Sequence, residues 1–166
     1  MPADKKKMIT EFVTEYGDSV LRMCYLYLKD YQLAEDVTQE TFFQVYKKYD
    51  SFMQKSSVKT WIMRIAINLC KNQMRTSWFK IRKVDEFPEL SYSEDYNGAI
   101  DRERLLMGIG NLRPKYKEVI LLYYYQELSV AEIAKVLGQK ESTVRVRLKR
   151  AREQLKEELK EDYFDE

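Results

Sequence analysis

The sequence predicts an all-α fold: two small helical domains joined by an acidic flexible linker, the second containing a helix-turn-helix. Three observations carry this. Apolar residues recur at spacings of three and four, and no segment sustains a period of two. Prolines number only three in 166 residues. The net charge of +2 is unevenly divided, with 15 Lys/Arg and 9 Asp/Glu in residues 1–83, six acids and no base in 84–101, and 14 against 12 in 102–166. The acid-only stretch, with Pro88, Gly98 and the polar run Ser91 to Asn97, reads as the linker. The expected domains are therefore 1–80 and 99–166, with 81–98 between them.

In the first domain Ile9, Phe12, Val13, Tyr16, Val20, Cys24 and Tyr27 form one helical stripe, with Gly17-Asp18 as a possible break. Leu33, Val37, Val45, Tyr46 and Tyr49 mark a second helix, and Trp61, Ile62, Ile65, Ala66 and Leu69 a third. These stripes read as core. In the second domain Ile100 to Leu112 is helical, and Pro114 suits the first turn of the helix through Val119, Ile120 and Tyr123. Ser129 then suits an N-cap, and Glu132 falls where a capping box requires it. The helix it opens stops at Gly138, where a left-handed backbone is cheap only for glycine. Val144, Leu148, Ala151, Leu155 and Leu159 form the apolar face of the last helix. Domains of roughly 75 and 65 residues lie near the lower end of comfortable stability.

Whole classes of chemistry are excluded. There is no histidine, so Ser-His-Asp, Cys-His and HExxH sites are absent. The five glycines form neither GxxxxGK[ST] nor GxGxxG. Cys24 and Cys70 make no CxxC pair and read as reduced core residues rather than a disulfide or zinc site. No run approaches the roughly 20 apolar residues of a membrane span, so the expected location is cytoplasmic. No metal, no cofactor and no catalytic activity are expected.

Two basic blocks remain to be explained. Ser51 to Val84 contains no acid but holds Lys55, Lys59, Arg64, Lys71, Arg75, Lys80, Arg82 and Lys83. Lys140 to Arg152 holds six bases against Glu141 alone. Such blocks are either solvated helix faces or a polyanion-binding surface, where each base that meets a phosphate releases a counterion. Context favours the second. The Ala134, Gly138, Val144 spacing matches a helix-turn-helix, whose second helix enters the major groove by its N-terminal end. Arg145, Val146, Lys149 and Arg150 are turned away from its core face, and after Arg152 the acids outnumber the bases, so the far end should point away from DNA.

In the first domain Arg64, Asn68, Lys71, Asn72 and Arg75 share one helix face. Bases with two asparagines suit phosphate and base-edge contacts. The polar loop Tyr49 to Ser57 before it is bracketed by aromatics; Phe52 either holds an unstacked base or is core. Ala34 to Glu40 is an acidic helix start that either meets a protein or complements the helix dipole.

In order along the chain, Ala34-Glu35-Asp36-Val37-Thr38-Gln39-Glu40-Thr41-Phe42, Lys59 to Asn72 (KTWIMRIAINLCKN) and Leu128 to Arg152, with Thr143-Val144-Arg145-Val146-Arg147-Leu148-Lys149-Arg150, resemble the extracytoplasmic-function (ECF) group of bacterial sigma factors. The resemblance covers nearly the whole chain. It implies a region 2 domain for the minus 10 promoter element, a region 4 domain for the minus 35 element, and a linker that runs through the polymerase channel later taken by RNA. It implies docking of Glu35, Asp36, Gln39 and Glu40 on the β′ clamp helices of core RNA polymerase, with the β flap as a further contact. By the same resemblance, minus 10 DNA would be met by Phe52, Lys55, Lys59, Arg64, Asn68, Lys71, Asn72 and Arg75, the loop before Lys59 capturing a flipped base. Minus 35 DNA would be met by Ser142, Thr143, Arg145, Val146, Arg147, Lys149 and Arg150. Val146 departs from the small polar residue that often contacts DNA there in relatives. A membrane-bound anti-sigma factor, a monomeric state and a cell-envelope stress regulon are further implications.

The expected function is thus promoter recognition and strand opening for core polymerase, both duplex and single-stranded DNA being bound. A stand-alone helix-turn-helix regulator is the alternative, but it leaves the acid-free block and the 34–40 patch unexplained. A magnesium-dependent nucleic-acid enzyme built on Asp85, Glu86 and Glu89 would place its site in the linker.

Overall fold

A computed structural model describes residues 2–52, 54–77 and 96–164, and no strand occurs among them. The first helix, α1 (Pro2–Leu28), runs through the Gly17-Asp18 step where the sequence suggested a break. One interior glycine costs only about 1 kcal/mol. The apolar stripe keeps its face on both sides of it, with Phe12 and Tyr16 before and Val20, Met23 and Cys24 after, so packing against the next helices holds α1 continuous. The helix ends on Lys29 in the left-handed region (φ 59°), whose N–H bonds the Tyr25 carbonyl at 2.8 Å. Asp30 then caps α2 (Tyr31–Lys48) by accepting from the Leu33 N–H. Ala34, Val37, Thr41, Phe42 and Val45 are its buried face, and the Thr41 hydroxyl is satisfied by the Val37 carbonyl.

After a 3₁₀ turn (Tyr49–Ser51), α3 (Val58–Ser77) buries Ile62, Met63, Ala66, Ile67 and Cys70. This face is wider than the stripe read from sequence, because α1, α2 and α6 all pack against α3. Cys24 and Cys70 are buried free thiols in that core, and the hydrogen bond with the Cys24 thiol, together with burial, pushes the Cys70 thiol up. The expected linker lies mostly outside the described residues. Its last three positions do not: α4 (Tyr96–Asn111) already begins inside 81–98.

Pro114 opens α5 (Pro114–Ile120), as its position in sequence suggested. The following Leu121–Tyr125 is a π-helical turn, closed by the Gln126 N–H on the Leu121 carbonyl at 2.9 Å. Then come α6 (Val130–Leu137) and α7 (Glu141–Phe164). The two helical units are not held apart: α1 touches α4 and α5, and α3 touches α6.

Candidate nucleic-acid interface and docking face

The helix-turn-helix is built by local chemistry. The Ser129 hydroxyl accepts from the Glu132 N–H at 3.1 Å and the Glu132 carboxylate accepts from the Ser129 N–H at 3.0 Å, so the capping box is complete. These bonds hold the Glu132 carboxyl below the usual range. Gly138 ends α6 at φ 64°, ψ 36°, the conformation that glycine alone adopts cheaply. Val144, Leu148, Ala151 and Leu155 are buried, which rolls α7 so that Ser142, Arg145, Val146, Lys149 and Arg150 are exposed. Thr143 is half-buried. Lys115 and Tyr116 of α5, with Ser142, Thr143, Val146, Arg147 and Arg150, line a concave surface at the start of α7. Arg147 is the exception on this face: it turns back, its Nη1 3.8 Å from the Glu118 carboxylate.

On α3, Arg64, Asn68, Asn72 and Arg75 are exposed on one side, and Arg75 donates to the Asn72 side chain. Lys55 is exposed in the preceding loop. Phe52 stacks on Trp61 with ring centres 4.4 Å apart and planes 17° from parallel, so one of its faces is covered. Two members of the expected minus 10 set, both half-buried, reach across to the second helical unit. Lys59 Nζ donates to the Gln126 carbonyl at 2.6 Å, and Lys71 Nζ lies 3.1 Å from Glu118.

The acidic patch on α2 is open. Asp36, Gln39 and Glu40 are exposed and Glu35 is half-buried; Glu40 accepts from Gln44 at 2.8 Å. The reading of these acids as a helix start is corrected, since α2 begins at Tyr31 and has no acid in its first turn. Dipole stabilisation fades beyond the first turn, so it does not account for the patch.

Sequence reasoning missed the residues between the two units. Glu118 is 3% exposed, with Lys71 on one side and Arg147 on the other. Burial raises its pKa, and the two cations oppose that rise. Lys71 Nζ lies 3.1 Å from Oε2 of this carboxylate and Arg147 Nη1 3.8 Å from Oε1. Lys117, equally buried, donates to the Tyr27 carbonyl at 3.0 Å. Gln126 accepts from the Ser19 hydroxyl at 2.6 Å and donates to the Ser19 carbonyl at 3.1 Å. Thr60 donates to the Glu132 carboxylate at 3.0 Å. One signal was present: Lys117-Glu118 interrupts the otherwise apolar and aromatic run from Tyr116 to Tyr125.

A capped helix-turn-helix with a basic exposed face, joined to a second basic helix, defines a transcription protein that works on DNA. The family "Sigma-70 region 2" matches residues 12–80 and the family "Sigma-70, region 4" matches residues 102–155. The chain belongs to the sigma-70 family, in its ECF group, and is an RNA polymerase sigma factor. It is 31% identical to the ECF RNA polymerase sigma factor SigW of Bacillus subtilis, over 91% of this chain and 88% of that protein. With the RNA polymerase sigma-E factor of Streptomyces avermitilis it shares 29% identity over 93% of this chain and 87% of the relative. The fold resembles that of the sigma factor RpoE solved with the anti-sigma factor NepR from Bartonella quintana, at a TM-score of 0.78 and 24% identity over 93% of this chain and 98% of that one. Among the described residues no helix is long and apolar enough to cross a membrane, and no group of three or more Cys, Asp or Glu could hold a metal ion.

Proposed function

We propose that this sigma factor directs core RNA polymerase to promoters through three separate faces. Residues 1–80 act as the minus 10 domain, 99–166 as the minus 35 domain, and 81–98 as the linker passing through the polymerase. On α7, Arg145, Lys149 and Arg150, with Ser142, Thr143, Val146 and Arg147 around them, meet the minus 35 major groove. On α3, Asn68 and Asn72 read minus 10 bases while Lys59, Arg64, Lys71 and Arg75 meet phosphate, and the Phe52 to Lys55 loop receives an extruded base. Glu35, Asp36, Gln39 and Glu40 dock on the β′ clamp helices, and the minus 35 domain rests on the β flap. The factor supplies recognition and strand opening and leaves catalysis to the polymerase.

The observation that supports this best is the division of surface on α7: its apolar face is buried while Arg145, Lys149 and Arg150 are exposed next to the helix N-terminus. An anti-sigma factor is a further proposed partner, as in the solved RpoE complex with NepR. Its membrane anchoring would hold the monomeric factor at the cytoplasmic membrane face until envelope stress releases it. Run-off transcription from a promoter library, with purified core polymerase and with or without the factor, tests the reading. Promoter-selective transcripts are expected only when the factor is added, and their absence overturns it.

A further inference from the structure

The acid-free character of residues 51–84 leaves α3 with no carboxylate of its own to balance its cations. In the folded chain, acids come to α3 from the other unit. Glu118 of α5 pairs with Lys71, and Glu132 of α6 accepts from Thr60. The same Glu118 carboxylate reaches Arg147 of α7 through its other oxygen, at 3.8 Å. One buried anion thus lies between a cation of the proposed minus 10 face and a cation of the proposed minus 35 face. Both cations are of the kind that phosphates recruit. Around it the two units are joined by Lys59 on the Gln126 carbonyl, Lys117 on the Tyr27 carbonyl and Gln126 on Ser19. Lys29 and Asn111 close the edge at 3.4 Å.

We propose that Glu118 is an intramolecular phosphate mimic that latches the free factor shut, so that Lys71 and Arg147 reach DNA only after this carboxylate is displaced. The proposal rests on the promoter-reading assignment of α3 and α7. The exchange is one anion for another: the cations pass from Glu118 to phosphates, and Glu118 passes from a buried site to water. A carboxylate 3% exposed carries a desolvation cost that two cations at 3.1 and 3.8 Å must offset, which suits a contact made to be broken.

Two alterations of the full chain test it. In the first, Glu118→Gln keeps shape and removes charge. Binding of the free factor to a promoter duplex should tighten roughly tenfold near 0.1 M salt. The slope of log affinity against log salt should steepen by about two contacts' worth, and X-ray scattering should report a larger radius of gyration. A carboxylate that only fills space would leave the salt slope unchanged, and an unchanged slope with an unchanged radius overturns the latch. In the second, Lys29→Cys and Asn111→Cys are bridged by a short bismaleimide, the native Cys24 and Cys70 being buried. The bridged protein should lose promoter binding and transcription at least tenfold relative to the same unbridged variant, and equal activity of the two overturns the proposal even where Glu118→Gln does not fold. If the unbridged factor gives no promoter-selective transcription, the promoter reading fails; the latch is then judged by the scattering of Glu118→Gln and by its salt-dependent retention on heparin.

Discussion

Replacing Lys117 with methionine should remove one defined part of the stability-versus-pH curve. Its side chain is 3% exposed and donates to the Tyr27 carbonyl at 3.0 Å. Burial, with Lys29 nearby, lowers its pKa from the ordinary 10.5 to about 8. Between those two values the folded protein binds fewer protons than the unfolded chain, so stability rises with pH. The favourable contribution is complete above 10.5 and is lost as pH falls through about 8. At neutral pH the ammonium is charged in both states, and a shift of about 2.5 units corresponds to roughly 3 kcal/mol of burial cost. Methionine escapes that cost but strands the Tyr27 carbonyl, for about 1 to 2 kcal/mol. Near pH 7 Lys117→Met should therefore be the more stable protein by about 1 to 2 kcal/mol. By pH 10 the wild type should have regained about 2 kcal/mol and drawn level or ahead. Urea denaturation of both proteins from pH 6.5 to 10 checks this, and the difference between them cancels the alkaline losses from Tyr16 and Tyr27, whose pKa values burial raises. A wild-type-minus-variant difference independent of pH refutes the reasoning.

Substituting Arg150 by alanine should cost on the order of 1 to 3 kcal/mol of minus 35 binding if it reads a base. Loss of a phosphate contact at Arg145 or Lys149 should weaken all sequences alike and lower the salt slope by about one; fluorescence anisotropy on matched and scrambled duplexes separates the two, and unchanged binding in all three variants defeats the assignment. Reversing Asp36 and Glu40 to lysine should abolish retention on core polymerase while shifting the melting temperature little, because exposed charges contribute little to stability. An unfolded variant would assign those acids to structure instead. Gly138→Ala should destabilise the protein by about 1 to 2 kcal/mol through the left-handed backbone at the end of α6, although a Cβ there meets no atom within 4 Å. A neutral effect in thermal unfolding would show that the cap is not strained.

Local sequence determined the elements whose cause is local. The Ser129-Glu132 capping box and the Gly138 stop needed only side chains three residues apart and one residue with a cheap left-handed backbone. The spacing of four, three and four in Val144, Leu148, Ala151 and Leu155 likewise settled which side of α7 carries Arg145, Lys149 and Arg150. Gly17 misled because its cost as a helix interior residue is local, whereas the packing that outweighs it comes from α2 and α3. The acids of α2 mislead similarly, since the cap at Asp30 lies upstream of the acidic patch.

Pairings between the two units were decided by the tertiary structure alone. Nothing along the chain relates Lys71 to Glu118, or Thr60 to Glu132, because those partners lie 47 and 72 residues apart in sequence and are joined through separate helices. Charge segregation showed that α3 lacked a counterion. Which carboxylate would supply it, and that a single buried Glu118 would answer to Lys71 and Arg147 at once, depended on the packing of α5 against α1, α4 and α7, which brings Glu118 to Lys71 of α3, a property of the folded chain that no local propensity encodes.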